Sequence, residues 1–121
     1  KKNIKKKLSL IGQILKDKRI LLVDDSIVRG NTSKHIVKAL RKIGAQSICL
    51  LSAAPKIVNV NNYGIFLPNK EELVAFQRRD GELEREIGCD KIIFNDLNET
   101  IDCLRQLNPT ILNFETSMFI P

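Results

Sequence analysis

Histidine occurs once in this 121-residue chain, at position 35, and cysteine only three times, at positions 49, 89 and 103. No two cysteines form a CxxC pair and His35 stands far from all of them, so the ligand spacing of a zinc or iron–sulfur site is missing. An odd number of cysteines at wide intervals reads instead as free thiols, buried or half-buried, in a reducing compartment. No apolar run approaches the roughly 20 residues that a membrane-spanning helix needs. No apolar signal-peptide core follows the basic N-terminus, which makes the cytoplasm the expected location. Neither GxxxxGK[ST] nor GxGxxG occurs, which excludes a Walker phosphate loop and a dinucleotide fingerprint. Internal repeats and low-complexity linkers are absent as well.

Acidic residues are scarce only at one end. The formal charge is +6, yet residues 1–19 hold eight lysines and arginines against Asp17, while the remainder carries twelve against thirteen acids. The positive excess is therefore local. A basic run of this kind can grip a nucleic acid or a pyrophosphate, or stand as a solvated tail. No aromatic side chains are interleaved with it, which weighs against nucleic acid.

The chain length suits one small domain, and a hydrophobic fraction of 43% suits a folded one. Leu8, Ile11, Ile14 and Leu15 recur at helical spacing, predicting a short amphipathic helix over 8–16. The apolar run from Arg19 to Val23 ends in two aspartates, and its length and composition predict a buried strand. Gly30-Asn31 marks a turn. Ile36, Val37, Leu40 and Ile43 then mark a helix face that ends at Gly44. The apolar run Ser47 to Ala54, stopped by Pro55, predicts a second strand and with it a right-handed βαβ crossover onto a parallel sheet. Residues 55–69 read as loop, with a short strand at Tyr63-Gly64-Ile65. Asn69 with Glu72 resembles a cap box that opens a helix through Phe76. Glu82 to Ile87 predicts another helical turn closed by Gly88, and Lys91 to Phe94 a strand. Asp96 with Glu99 predicts a second cap box, opening a helix whose Leu97, Ile101, Leu104 and Leu107 share one face until Asn108-Pro109. The fold class is α/β.

The chemistry concentrates in Asp24, Asp25, Ser26, Ile27, Val28, Arg29, Gly30, Asn31, Thr32 and Ser33. Two carboxylates stand at the C-terminal end of a strand, where open α/β sheets bind ligands. A helix start follows, whose unpaired N–H groups and dipole favour an anion such as phosphate. Gly30 lets backbone approach phosphate oxygens, and Thr32 and Ser33 add hydroxyls. Paired acids beside a phosphate cradle make sense if the ligand also carries a diol and a hard cation. Asp24 and Asp25 would then accept from ribose hydroxyls and hold Mg²⁺, and the metal would offset pyrophosphate charge. Phosphate, diol and metal pyrophosphate together describe phosphoribosyl pyrophosphate. The bland alternative is an Asp-Asp turn before an ordinary capped helix. His35, in the first turns of that helix, reads as a surface residue. Arg78-Arg79 with Glu82, Glu84 and Glu86 reads as a solvated charged face, and Tyr63, Phe114 and Phe119 as packing residues.

The wording Val-Asp-Asp-Ser-Ile-Val-Arg-Gly-x-Thr-Ser resembles the phosphoribosyl pyrophosphate motif of the type I phosphoribosyltransferases, and within them the amidophosphoribosyltransferase branch. Ser52-Ala53-Ala54-Pro55, Asn62-Tyr63-Gly64-Ile65, Lys70 to Ala75, Glu86 to Asp90, Asn95-Asp96-Leu97 and Asn113 to Phe119 follow in that family's order and spacing. Lys5-Lys6-Lys7-Leu8-Ser9 resembles the basic end of the family's mobile loop over the pyrophosphate. Purine-salvage relatives commonly place an acid where this chain has Val28. A valine cannot exchange a proton, which suits ammonia as the nucleophile.

The resemblance implies a partial type I phosphoribosyltransferase fold, a parallel sheet with flanking helices. Residues 1–18 would form a basic segment and short helix at the end of the mobile loop, and residues 19–121 the C-terminal part of the domain. It implies transfer of ammonia, released from glutamine in the full enzyme, to phosphoribosyl pyrophosphate, giving 5-phosphoribosylamine, the committed step of purine synthesis. Asp24 and Asp25 would hold ribose and Mg²⁺, and Val28 to Thr32 the 5′-phosphate. Lys5, Lys6 and Lys7 would screen the pyrophosphate, and the full enzyme is expected to be a homo-oligomer. No N-terminal cysteine nucleophile is present, so the glutaminase half is expected elsewhere, and the chain alone is expected to do no chemistry. Asn31 stands where the family has threonine, Phe66 where it has aspartate, and Val58 and Val60 where it has arginine and proline. A non-catalytic module that binds phosphoribosyl pyrophosphate or a nucleotide, and a different phosphoribosyltransferase, are the competing readings.

Overall fold

The computed structural model describes residues 12–61, 63 and 69–121. The basic segment of residues 1–11, the expected strand at 63–65 and Phe66 therefore fall wholly or partly outside the described residues. Residues 12–15 are helical. They are followed by strand β1 (Arg19–Asp24), helix α1 (Asn31–Ile43), strand β2 (Ser47–Ser52), helix α2 (Asp80–Ile87), strand β3 (Lys91–Phe94) and helix α3 (Leu97–Leu107), with short 3₁₀ turns at Lys70–Glu72 and Ser117–Phe119. The strands form one parallel sheet in the order β1-β2-β3. The expected βαβ crossover is present, and the fold is α/β.

Helix α1 begins and ends on glycine. Gly30 caps its start with φ of 72°, and Gly44 closes it with φ of 94°. At the closing end, Gly44 N–H donates to the Arg41 carbonyl at 3.0 Å and Ala45 N–H to the Leu40 carbonyl at 3.1 Å. This is the paired pattern that satisfies orphan carbonyls, and Arg41 and Lys42 in the last turn complement the dipole. Ser33, Val37 and Leu40, at helical spacing, are buried.

That buried stripe packs on one face of the sheet. Ile48 and Leu50 of β2 and Ile92 of β3 meet Val37 and Leu40 of α1 and Leu83 and Ile87 of α2. Ile27, Val74 and Ala75 close the cluster from the loops. Asp90, just before β3, accepts from Ile48 N–H at 2.6 Å and from Arg41 Nη2 at 2.7 Å. The Ile48 amide first, and the Arg41 guanidinium second, hold its carboxyl below the usual carboxylate range.

Several expectations are corrected. Strand β1 is not buried through its length: it stands at one side of the sheet that the described strands form, and its residues alternate. Leu21 and Val23 are 59% and 60% exposed, on the face opposite the helices. Strand β2 stops at Ser52, two residues before the expected end. The predicted helix from Asn69 to Phe76 is only a single 3₁₀ turn, and Asn69 makes no side-chain cap. The reason is packing. Leu73, Val74 and Ala75 are all buried in succession, a run that a surface helix with one apolar stripe cannot supply. Helix α3 forms with its expected capping aspartate, yet none of its residues is buried, and Leu107 is 78% exposed. Tyr63 is exposed rather than packed, and Cys103 is exposed while Cys89 is buried, where burial pushes its thiol pKa up.

The charged stretch near α2 is more than a solvated face. Glu82 accepts from Arg79 N–H at 2.7 Å and so caps α2. Glu84 accepts from Ile92 N–H at 3.1 Å, and Arg78 donates to the Val74 carbonyl at 3.0 Å. Glu86 pairs with Lys34, whose hydrogen bond and charge lower the Glu86 carboxyl below its ordinary range.

Candidate functional site

At the C-terminal end of β1 the chain leaves the sheet and forms a cleft of about 390 Å³ lined by every residue from Asp24 to Ser33. The structure thus brings all ten residues singled out in the sequence to one place. Two backbone bonds anchor the exit: Ala53 N–H donates to the Asp24 carbonyl and Ala54 N–H to the Asp25 carbonyl, both at 2.9 Å. The β1 exit is thereby tied to the exit of β2, where Ser52 is buried and donates to the Ala54 carbonyl at 2.8 Å.

The acids are held by short local bonds. Asp24 Oδ1 accepts from Asp25 N–H at 3.0 Å, and Asp25 Oδ1 accepts from Ser26 N–H at 2.6 Å. Each carboxylate is oriented through one oxygen, and among the described residues neither Oδ2 has a hydrogen-bond partner. Asp25 is exposed and Asp24 half-buried. The Ile27 side chain is 2% exposed and belongs to the core, so what it offers the cleft is backbone. Thr32 and Asn31 are exposed, and Ser33 is buried against the helix.

The start of α1 leaves its donors open. Gly30 supplies no side-chain cap, and the first turn contains no acidic residue. Its first residues, Asn31 to Ser33, line the cleft and their N–H groups have no intrahelical acceptor, so an anion there would meet the positive end of the helix. His35 Nδ1 lies 2.7 Å from the Asn31 carbonyl on the exposed side of its own helix, in keeping with a surface role.

A second crevice of about 310 Å³ lies between the ends of β2 and β3, with Lys56, Asp80, Phe94 and Asp96 among its walls. Its polar groups are already engaged. Lys56 pairs with Asp80 and sits 5.5 Å from the Phe94 ring centre. Asn95 donates to the Ala53 carbonyl at 3.0 Å, and Asp96 caps α3. No group of three or more His, Cys, Asp or Glu side chains gathers into a metal cluster among the described residues.

Sequence reasoning missed the residues that shape the loop from below. Glu72 accepts from Arg29 Nε at 2.9 Å, and Val74 N–H donates to the Val28 carbonyl at 2.8 Å. Both partners stand more than 40 residues away in the chain, and neither interaction leaves a periodic or spacing signal.

No protein-family model matches the chain. It is 47% identical over 117 residues to amidophosphoribosyltransferase of Pasteurella multocida, covering 97% of this chain and 23% of that protein. To the enzyme of Escherichia coli it is 46% identical over 119 residues, 98% of this chain and 24% of the relative. To that of Saccharomyces cerevisiae it is 39% identical over 117 residues, 97% of this chain and 22% of the relative. The chain thus spans about a quarter of the length of the curated relatives it matches. Among solved structures, glutamine phosphoribosylpyrophosphate amidotransferase from B. subtilis, complexed with ADP and GMP, superposes with a TM-score of 0.71 at 30% identity, over 90% of this chain and 23% of that one. The structure of the allosteric regulatory enzyme of purine biosynthesis superposes with a TM-score of 0.69 at 36% identity, over 76% of this chain and 20% of that one. No helix among the described residues is long and apolar enough to cross a membrane. Matched in sequence along nearly its whole length and in fold along most of it, the chain is similar, over the segment it spans, to about a quarter of an amidophosphoribosyltransferase.

Proposed function

We propose that this chain supplies the phosphoribosyl pyrophosphate loop of an amidophosphoribosyltransferase. The observation that carries the reading is one cleft lined both by a helix start without a side-chain cap and by two oriented carboxylates. The helix-start amides and the Thr32 hydroxyl take the 5′-phosphate. Asp24 and Asp25 accept from the ribose 2′- and 3′-hydroxyls. Mg²⁺ keeps several waters and is ordinarily held by one or two carboxylates together with substrate phosphates. A pair of aspartates fits a metal that arrives with its pyrophosphate, and Mg²⁺ would screen that group's charge.

With ligand so held, ammonia attacks C1 of the ribose, the bond from C1 to pyrophosphate breaks, and 5-phosphoribosylamine results. Fixing the phosphate and the diol restricts the ring to one orientation, which is the loop's main contribution to rate. In this proposal residues 19–121 are the C-terminal part of a cytoplasmic phosphoribosyltransferase domain, and residues 1–18 belong to its pyrophosphate loop. The roles of Lys5, Lys6 and Lys7 rest on the family resemblance alone. Ammonia release from glutamine and homo-oligomer formation belong to the longer protein that the relatives represent.

Calorimetric titration with phosphoribosyl pyrophosphate and Mg²⁺ tests the reading. The Asp24→Asn/Asp25→Asn double variant is expected to lose affinity by at least about a hundredfold, since each acid contributes a charge-assisted hydrogen bond of about 1.5–3 kcal/mol. Equal binding by the double variant would remove the two aspartates from the site.

A further inference from the structure

The turn that lines the cleft is supported by a distant part of the chain. Residues 72–74 reach the turn Val28-Arg29-Gly30 at three successive points. Glu72 Oε2 holds Arg29 Nε at 2.9 Å. Val74 N–H donates to the Val28 carbonyl at 2.8 Å. The Val74 side chain lies directly under Gly30, where a Cβ would meet Val74 Cγ2 at 3.2 Å. Leu73, Val74 and Ala75 are themselves anchored, each no more than 3% exposed.

These contacts act on the residue that decides whether the helix start is open. Gly30 adopts a positive φ, and its carbonyl accepts the first helical bond, from Lys34 N–H at 2.9 Å. Val28 and Arg29 set the path into that conformation. Held on one side by a hydrogen bond and on the other by an ion pair, the turn is left with one route across Val74. An arginine freed from Glu72 would remain on the same loop as Asp24 and Asp25, where Coulomb attraction favours contact with the carboxylates.

We propose that Glu72 is a positioning residue for the phosphate loop: by holding Arg29, it keeps the turn at Gly30 in the shape that presents the α1 amides to a phosphate. The ligand half of this inference rests on the reading of residues 24–33 as a phosphoribosyl pyrophosphate site; the geometric half does not.

Native-state amide hydrogen exchange of the full 121-residue chain tests the geometric half without ligand. The reporters are Lys34 N–H and Val74 N–H, whose acceptors lie in the turn, against Leu50 and Ile92 in the sheet. Because the pair is about half exposed, Glu72→Ala is expected to speed exchange at both reporters by about three- to fivefold and to leave the sheet amides unchanged. Glu72→Gln, which keeps an acceptor oxygen, is expected to fall between. Arg29→Ala combined with Glu72→Ala is expected to do no more than either alone, since both remove one interaction. Unchanged reporters, a rise spread evenly over the sheet, or additive effects of the two substitutions each overturn the proposal. In titrations with phosphoribosyl pyrophosphate and Mg²⁺, Glu72→Ala is expected to weaken binding by a similar factor, and equal binding overturns the positioning role. If the unsubstituted chain shows no binding while the reporters respond, the ligand reading falls and the clamp on the loop stands.

Discussion

The loops after β1 and β3 leave the same end of one parallel sheet, and each delivers the chain into a helix. After β3 the passage is short: Asp96 accepts from Asn98 N–H at 2.8 Å and from Glu99 N–H at 3.0 Å, so the start of α3 is satisfied by its own chain. After β1 the chain takes a longer path, reaches α1 through a glycine and puts no side chain over the helix start. Its acids are placed before the turn, at the strand end, rather than on the helix. One loop consumes its donors internally and builds a stable helix terminus; the other gives its helix start no side-chain cap and sets two carboxylates at the strand end, the arrangement on which the proposed ligand site rests. A helix N-terminus at the carboxyl end of a parallel sheet is not by itself a site, and what separates these two is whether the cap is supplied from within.

That contrast can be broken at its most sensitive point by Gly30→Ala. A Cβ there is strained by the φ of 72° and must also push Val74, so the variant is expected to lose about 1–2 kcal/mol of stability. Denaturant unfolding measures the loss, and a stability equal to the unsubstituted chain would mean that the turn can relax. Asp96→Ala strips the other loop of its cap. It is expected to cost about 1 kcal/mol in the same measurement while leaving affinity for phosphoribosyl pyrophosphate unchanged. A change in that affinity would join two loops that the geometry keeps separate.

The smallest effect tests the frame shared by both loops. Asp90 ties the start of β2 to the end of α1, and its carboxyl is held below its ordinary range by the Ile48 amide and Arg41. A lowered folded-state pKa contributes stability that is present above the unfolded-state value and disappears as the pH falls through the folded-state value. Asp90→Asn is therefore expected to be less stable at neutral pH, by no more than about 1 kcal/mol given the exposure of the pair, and to match the unsubstituted chain in acid. A difference that persists undiminished at low pH would assign the effect to packing rather than charge.

The two faces of the sheet show how far the sequence could be read. Ile48, Leu50 and Ile92 lie under the helices, whereas Leu21 and Val23 of β1 and Ile93 of β3 point to the opposite side and are largely exposed. All are apolar, and a short apolar strand looks the same from its sequence whether one or both of its faces are covered. Helix α3 teaches the same lesson: its apolar face was legible from Leu97, Ile101, Leu104 and Leu107, but periodicity says nothing of what stands across from that face. The failed helix at Asn69 has the opposite cause. A cap-like pair of residues was outweighed by three consecutive side chains that the core accepted together, and Glu72, expected to cap, went to Arg29 instead.

By itself, the sequence determined the order of strand, loop, helix and strand, the glycine boundaries of α1 and the ten residues of the cleft, because each is written in contiguous residues whose local chemistry suffices. Only the tertiary structure decided that one face of β1 is left exposed, that the Ile27 side chain serves the core, and that residues 72–74 support the turn beneath Gly30. The physical reason is range. Backbone propensity, capping and hydrophobic period act over a few residues, whereas the turn at the candidate site is held by an ion pair, a hydrogen bond and a side-chain contact that exist only once the chain has folded back on itself.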